Sequence, residues 1–224
     1  MIRGLGPTLA QFNVTGVMQN PTLELHDGSG SLITTNDNWK DTQQAEITVT
    51  QLAPPADAEA AILATLRPGA YTAIQTGAGG GTGVGLIEIY DVDPLAASRL
   101  INISTRGLVQ AGNNVLIAGC SLAGGSGSND VVVRALGPSL VPLGVNNALP
   151  DPVLALYDSN ASVITANDNW KDSQQNAIAN TGLQPPNDLD AAISVTLAEG
   201  NYTAVVTGKN GSTGVALVEV YATH

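Results

Sequence analysis

Apolar and polar residues alternate along this chain with a period of two, in short runs separated by turn residues. Leu23 and Leu25 share one face while Glu24 and His26 take the other, and Asp27-Gly28-Ser29-Gly30 then turns the chain into residues 31–34. Residues 47–52 continue the pattern as far as the break at Pro54-Pro55. Residues 60–66 have the length of a short helix, but the related run 191–197 alternates better and is richer in β-branched residues, so both read as strands. Turns at Pro68-Gly69 and Glu199-Gly200 lead into strands at 71–76 and 202–207. A glycine-rich loop follows each, and the last strands span 84–90 and 215–221.

These runs occur in pairs because the chain repeats itself at a constant offset of 131, without a gap. Arg3-Gly4-Leu5-Gly6-Pro7-Thr8-Leu9 returns as Arg134-Ala135-Leu136-Gly137-Pro138-Ser139-Leu140, and Asn36-Asp37-Asn38-Trp39-Lys40-Asp41 returns unchanged as Asn167-Asp168-Asn169-Trp170-Lys171-Asp172. Roughly half the positions from Arg3 to Tyr90 equal their partners, which establishes an internal duplication. The expected fold is all-β: two tandem antiparallel β-sandwiches of jelly-roll-like form, with repeat 1 at 1–93 and repeat 2 at 131–224. Residues 94–130 stand between them and read as further strands at 98–105 and 114–122, with turns at 110–113 and 124–130 and a third strand at 131–134. Nothing equivalent precedes Arg3 in this sequence. The intervening strands are therefore expected to complete repeat 1, repeat 2 or a neighbouring subunit, and a copy left short of strands exposes sheet edges and core.

Composition narrows the partners. Of the 224 residues 43% are hydrophobic and only 4% aromatic, so the core is aliphatic. Charged residues are 12%, about half the ~25% of an average soluble domain, which leaves little to keep copies of the chain apart. A net charge of −11 and a pI near 4.2 argue against binding to a nucleic-acid backbone or an anionic membrane surface. No apolar run approaches the ~20 residues of a membrane-spanning helix. Cys120, the single cysteine, lies in an apolar run and reads as a small buried hydrophobe. Met1-Ile2-Arg3 runs directly into Gly4-Leu5-Gly6-Pro7 without an apolar leader, so a mature form or an excised fragment of a secreted protein is expected.

The repeated hexapeptide carries the candidate chemistry. Asp27, Asn36 and Asp37, with their counterparts Asp158, Asn167 and Asp168, offer hard oxygens of the kind Ca²⁺ takes. The spacing is not that of an EF-hand, and Asn and Asp build turns without any metal, so both readings stand. Trp39 and Trp170 are candidates to stack on a glycan or on a neighbouring subunit, the other reading being a plug over the open end of the sandwich. The glycine-rich loops at 77–83 and 208–214 lack a Gly-Lys-Ser/Thr ending and a following helix, so they read as hairpin loops rather than phosphate cradles. No histidine is shared by the two copies, and the acidic pairs Asp57 with Glu59 and Asp188 with Asp190 read as solvated turn residues. No enzymatic activity and no resident cofactor are expected.

The run 154–159, then Asn167-Asp168, then 196–206, matched in the first copy by 23–27, Asn36-Asp37 and 65–72, resembles the bacterial pre-peptidase C-terminal domain and the tandem repeats of large bacterial surface proteins. The resemblance covers about two thirds of the chain. It implies a jelly-roll-like sandwich on a secreted or cell-surface protein, without catalytic activity. Two functional expectations follow. The first is an extracellular structural protein that self-associates into a homo-oligomer, fibre or filament by strand complementation. The second is a glycan-binding or Ca²⁺-dependent adhesion module of a larger secreted protein.

Overall fold

A computed structural model describes residues 1–93, 101–123 and 127–223 of the chain. Residues 98–100 of the expected strand at 98–105, and 124–126 of the expected turn, lie outside the described residues. The chain divides into two units, Met1–Arg99 and Leu100–His224. Each is a pair of antiparallel sheets closed over an aliphatic core, so the all-β sandwich expected from the alternation is what forms.

In the first unit β1 (Ile2–Leu5) lies between β4 (Ala60–Ile62) and β6 (Leu86–Ile89), and β2 (Pro21–Asp27) lies between β3 (Leu32–Asn36) and β5 (Tyr71–Gly77). Ile2, Leu23, Leu25, Ala60 and Ile62 meet between the sheets. The burial of β2 alternates as its sequence does, with Leu23 and Leu25 sealed and Glu24 exposed.

The second unit repeats this plan and adds a strand to each sheet. The elements are β7 (Asn102–Val109), β8 (Leu116–Leu122), β9 (Ser128–Leu136), β10 (Pro152–Tyr157), β11 (Val163–Asn167), β12 (Ala191–Ala198), β13 (Gly200–Gly208) and β14 (Gly214–Ala222). One sheet runs β12-β9-β14-β7 and the other β11-β10-β13-β8. Strands β7 and β8 come from the segment between the copies, and a bond from Gln110 N to Asn114 O closes the turn that joins them. They hydrogen-bond to β14 and β13 respectively, one strand to each sheet. The core gathers Val109 from β7 with Val131, Val133, Leu154, Leu156, Ile193, Val206 and Val218, and Leu116, Ala118, Cys120 and Leu122 of β8 pack against it. Cys120 is thus a half-buried apolar contact, and burial pushes its thiol pKa up.

Two expected strands take other forms. Residues 47–52 are not extended; the short helices α1 (Gln44–Val49) and α2 (Gln175–Asn180) stand there instead, each burying a single side chain, Ile47 or Ile178. One apolar contact per turn among polar residues suits a helical turn better than a strand with a buried face. The strand expected at 60–66 is shorter than its counterpart. In β12 the residues Val195 to Ala198 pair with Val131 to Ser128 of β9, whereas β4 pairs with β1 only through Ala60, Ala61 and Ile62.

Candidate functional site

The repeated loop holds its own copy together. Asn36 Oδ1 accepts from Ala61 N at 2.8 Å while its Nδ2 donates to Asn38 O, and Asn167 makes the same pair with Ala192 and Asn169. Seven residues on, Gln43 presents its amide as a strand would: Nε2 donates to Leu63 O at 2.9 Å and Oε1 accepts from Leu63 N at 3.0 Å. Gln174 repeats this on Ser194. Side chains thereby occupy backbone groups in and just after β4 and in β12, which blunts that edge against another strand.

Trp39 and Trp170 are buried, 7% and 6% exposed, among Ile47 and Ala61 or Ile178 and Ala192. Their rings pack under the short helices on the outward-facing side of β4 and β12, apart from the inter-sheet cores, and are screened from solvent. Lys40 lies over the Trp39 ring at 5.4 Å and pairs with Asp57 at 2.5 Å; Lys171 repeats this with Trp170 and Asp188.

The six candidate Ca²⁺ ligands are not brought together. Asp27 sits at the hairpin tip, where Oδ1 accepts from Ser29 N and Ser31 N, and Asp158 does the same with Asn160 N and Ser162 N. Asn36 lies opposite Leu23, four residues along β2 from Asp27, which is about 13 Å at strand rise. Asp168 is held by Lys209 Nζ at 2.6 Å. No group of three or more His, Cys, Asp or Glu side chains able to hold a metal occurs among the described residues.

Two networks escaped the sequence reading. Glu59 and Asp190 are not solvated turn residues but fully buried. Glu59 accepts from Gly6 N at 3.0 Å, Thr8 N at 2.9 Å, Thr8 Oγ1 at 2.8 Å and Ala56 N at 3.2 Å. Asp190 accepts from Gly137 N at 2.8 Å and from Ser139 Oγ. Burial pushes the Asp190 carboxyl above the usual carboxylate range, against the hydrogen bonds it receives. These bonds explain the Leu-Gly-Pro-Thr/Ser signature, since the carboxylate needs the donors of that turn. The glycine is required because a Cβ at Gly6 or Gly137 would stand 2.1 Å from the carbonyl oxygen of Met18 or Leu149. The second network joins Arg3 to Glu88 and Tyr90, and Arg134 to Glu219 and Tyr221. Each arginine bonds Glu Oε2 through Nε and Nη2 and reaches a loop carbonyl, Leu52 O or Leu183 O, at 3.0 Å. Its Nη2 also bonds the tyrosine hydroxyl, which in turn donates to Glu Oε1. The recurrence of Arg, Glu and Tyr at the shared offset was the available signal.

With both copies' internal contacts accounted for, the lateral edges of the first unit are what differs. Strand β13 pairs with β10 on one side and β8 on the other, and β14 pairs with β9 and β7. Their counterparts β5 and β6 pair only with β2 and β1 among the described residues. Core positions open accordingly. Val220 is 9% exposed and its counterpart Ile89 is 43%; Leu197 is 5% and Leu66 is 36%. Val218 and Ala204 are sealed, whereas Ile87 and Ala73 are only half-buried. Two strand edges, unpaired among the described residues, thus flank an exposed aliphatic seam.

No protein-family model and no curated protein matches the chain. Among solved structures it is similar to the pre-peptidase C-terminal domain of a collagenase from Bacillus anthracis, at 11% identity, covering 54% of this chain and 89% of that one with a TM-score of 0.34. It is also similar to the infectious bursal disease virus VP2 subviral particle, at 10% identity over 99% of this chain and 56% of that one, with a TM-score of 0.24. No helix among the described residues is long and apolar enough to cross a membrane.

Proposed function

We propose that the protein is a non-catalytic, extracellular structural module, built of β-sandwich repeats, that assembles into surface fibres by strand addition at the first copy. The observation that carries this reading is the contrast between equivalent edges. In the second unit a two-strand segment, β7 and β8, supplies main-chain bonds to β14 and β13 and seals Val206, Ala216 and Val218. In the first unit the same two edges stand unpaired among the described residues, over an exposed seam. Main-chain bonding gives such an addition affinity and the alternate inward side chains give it register. A head-to-tail contact of this kind that does not close on itself grows into a filament.

One hairpin cannot close two grooves. Exchange of residues 101–123 between identical chains fills one groove by emptying another, so closing both takes a further strand pair of this kind. Without such a donor the open edges pair promiscuously. The purified chain is therefore expected to grow in size with concentration by light scattering, and an excess of a synthetic peptide spanning residues 101–123 is expected to return it to a single species. A chain that remains monodisperse and monomeric at high concentration, and that ignores the peptide, overturns the reading.

A further inference from the structure

The two grooves are not the same, and the difference lies at two neighbouring positions. Where the second copy has Val206, fully buried, the first has Gln75; where the second has Ala216, also fully buried, the first has Gly85. The two replacements belong together. Gln75 folds inward from β5 and crosses to the opposite sheet, where its Nε2 donates to Leu5 O at 3.0 Å. It passes so close to Gly85 that a Cβ there would meet Gln75 Nε2 at 2.5 Å and its Cδ at 3.0 Å. Glycine at 85 leaves room for the amide inside the seam, and alanine at that place would force it to shift.

This amide changes what the groove accepts. In the second copy Val206 stands opposite Leu116 of β8, an apolar pair on the inward face of two hydrogen-bonded strands. Carried across the repeat, that register places Gln75 opposite the residue at the position of Leu116 in any strand added to β5. Gln75 Oε1 has no donor among the described residues and is left to solvent. A leucine arriving opposite would strip that oxygen of water and offer nothing in return, which is the costly way to bury a polar group. A hydroxyl there offers a donor in place of the lost water.

Resting on the strand-addition reading, we infer that the first copy selects its donor. The structure assigns to this groove a two-strand segment of the β7–β8 kind that carries a hydrogen-bond donor, serine or threonine in chemistry, at the position of Leu116, and it discriminates against the hairpin of this same chain. Gln75 and Gly85 are its specificity-determining residues. The device keeps the internal hairpin with the second copy and reserves the first for a different strand pair, which gives an assembly a direction.

The test uses the full 224-residue chain and two synthetic peptides spanning residues 101–123, one of native sequence and one with Leu116→Ser, with affinity read by titration calorimetry. The wild-type chain is expected to bind the Leu116→Ser peptide about tenfold more tightly than the native peptide, the size of one buried acceptor satisfied or left bare. The Q75V/G85A chain, whose groove copies the second, is expected to reverse that preference. Equal affinity of the wild-type chain for both peptides overturns the inference while leaving strand addition intact. Binding of neither peptide to either chain overturns strand addition itself. The peptide comparison on wild-type chain stands whether or not the Q75V/G85A chain folds.

Discussion

The two copies share their internal contacts nearly residue for residue and differ in how their sheets end. The Asn and Gln that cap β4 and β12, the Trp-Lys-Asp cluster and the Arg-Glu-Tyr network each recur with distances that agree within a few tenths of an ångström. Everything a copy needs to hold its own two sheets together is therefore encoded inside the repeat. What it needs to close their lateral edges is not. In the second unit that comes from β7 and β8, which lie outside the repeat. A duplicated unit of this design holds its own sheets together and leaves their lateral edges to a segment outside the repeat.

The anchors show how much freedom the internal contacts leave. Glu59 takes four hydrogen bonds from the turn at 6–8 and from Ala56, and Asp190, one methylene shorter, still reaches Gly137 N and Ser139 Oγ. Lys209 is a difference of another kind. It ties Asp168 to Asp151 in the second copy, whereas the first has Ala78 at that place, and the amide of Asn20, oriented to donate, lies 3.2 Å from Asp37 Oδ1. One copy fastens its glycine-rich loop with an ion pair, and the other fastens Asp37 with an amide from the chain before β2.

The largest break in the comparison is expected from Val109→Asp. A carboxylate at this fully buried site on β7 should cost the second unit more than about 4 kcal/mol, enough to open it, while the first unit, which lacks this strand, keeps its protection in hydrogen exchange resolved by residue. Equal loss of protection in both units would show that they do not stand on separate cores. Next come matched truncations at one repeat position. Leu197→Ala is expected to cost ~3 kcal/mol and Leu66→Ala ~1 kcal/mol in urea unfolding, because the first leucine is sealed and the second is already 36% exposed. Similar costs would mean that the seam is covered in solution. The smallest effect concerns pH. The folded-state pKa of Asp190 is raised, so its protonated form is the one the fold favours; that contribution is present below the unfolded pKa and lost as pH rises through the folded value. Relative to Asp190→Asn, the wild-type second unit should gain melting temperature as pH falls from 7 towards 4. A constant difference between the two proteins would contradict the raised pKa.

Much of the fold could be read from alternation and from the offset of 131, because strand faces and duplication both leave periodic marks in a sequence. Residues 47–52 were harder, since one buried isoleucine among polar residues carries no period. The candidate site was less legible. Asn36, Asp37 and Asp27 are close in sequence and look like one oxygen cluster, yet β3 carries the chain the length of a strand between the hairpin tip and the loop. Glu59 looked solvated beside a proline turn because its partners, Gly6 and Thr8, lie more than fifty residues away.

The sequence alone determined that two copies exist, that each is a sandwich with an aliphatic core, and that a segment outside the repeat lies between them. These are properties of composition and period, and they need no knowledge of what touches what. Only the tertiary structure decided that the intervening strands join β13 and β14, that the tryptophans are buried on the outer face of β4 and β12, and that Gln75 lies across Gly85 in the seam of the first copy. Pairing of this kind is settled by which edges and cavities are free once the chain has closed on itself. It therefore depends on contacts between residues far apart along the chain, where no local pattern can record it.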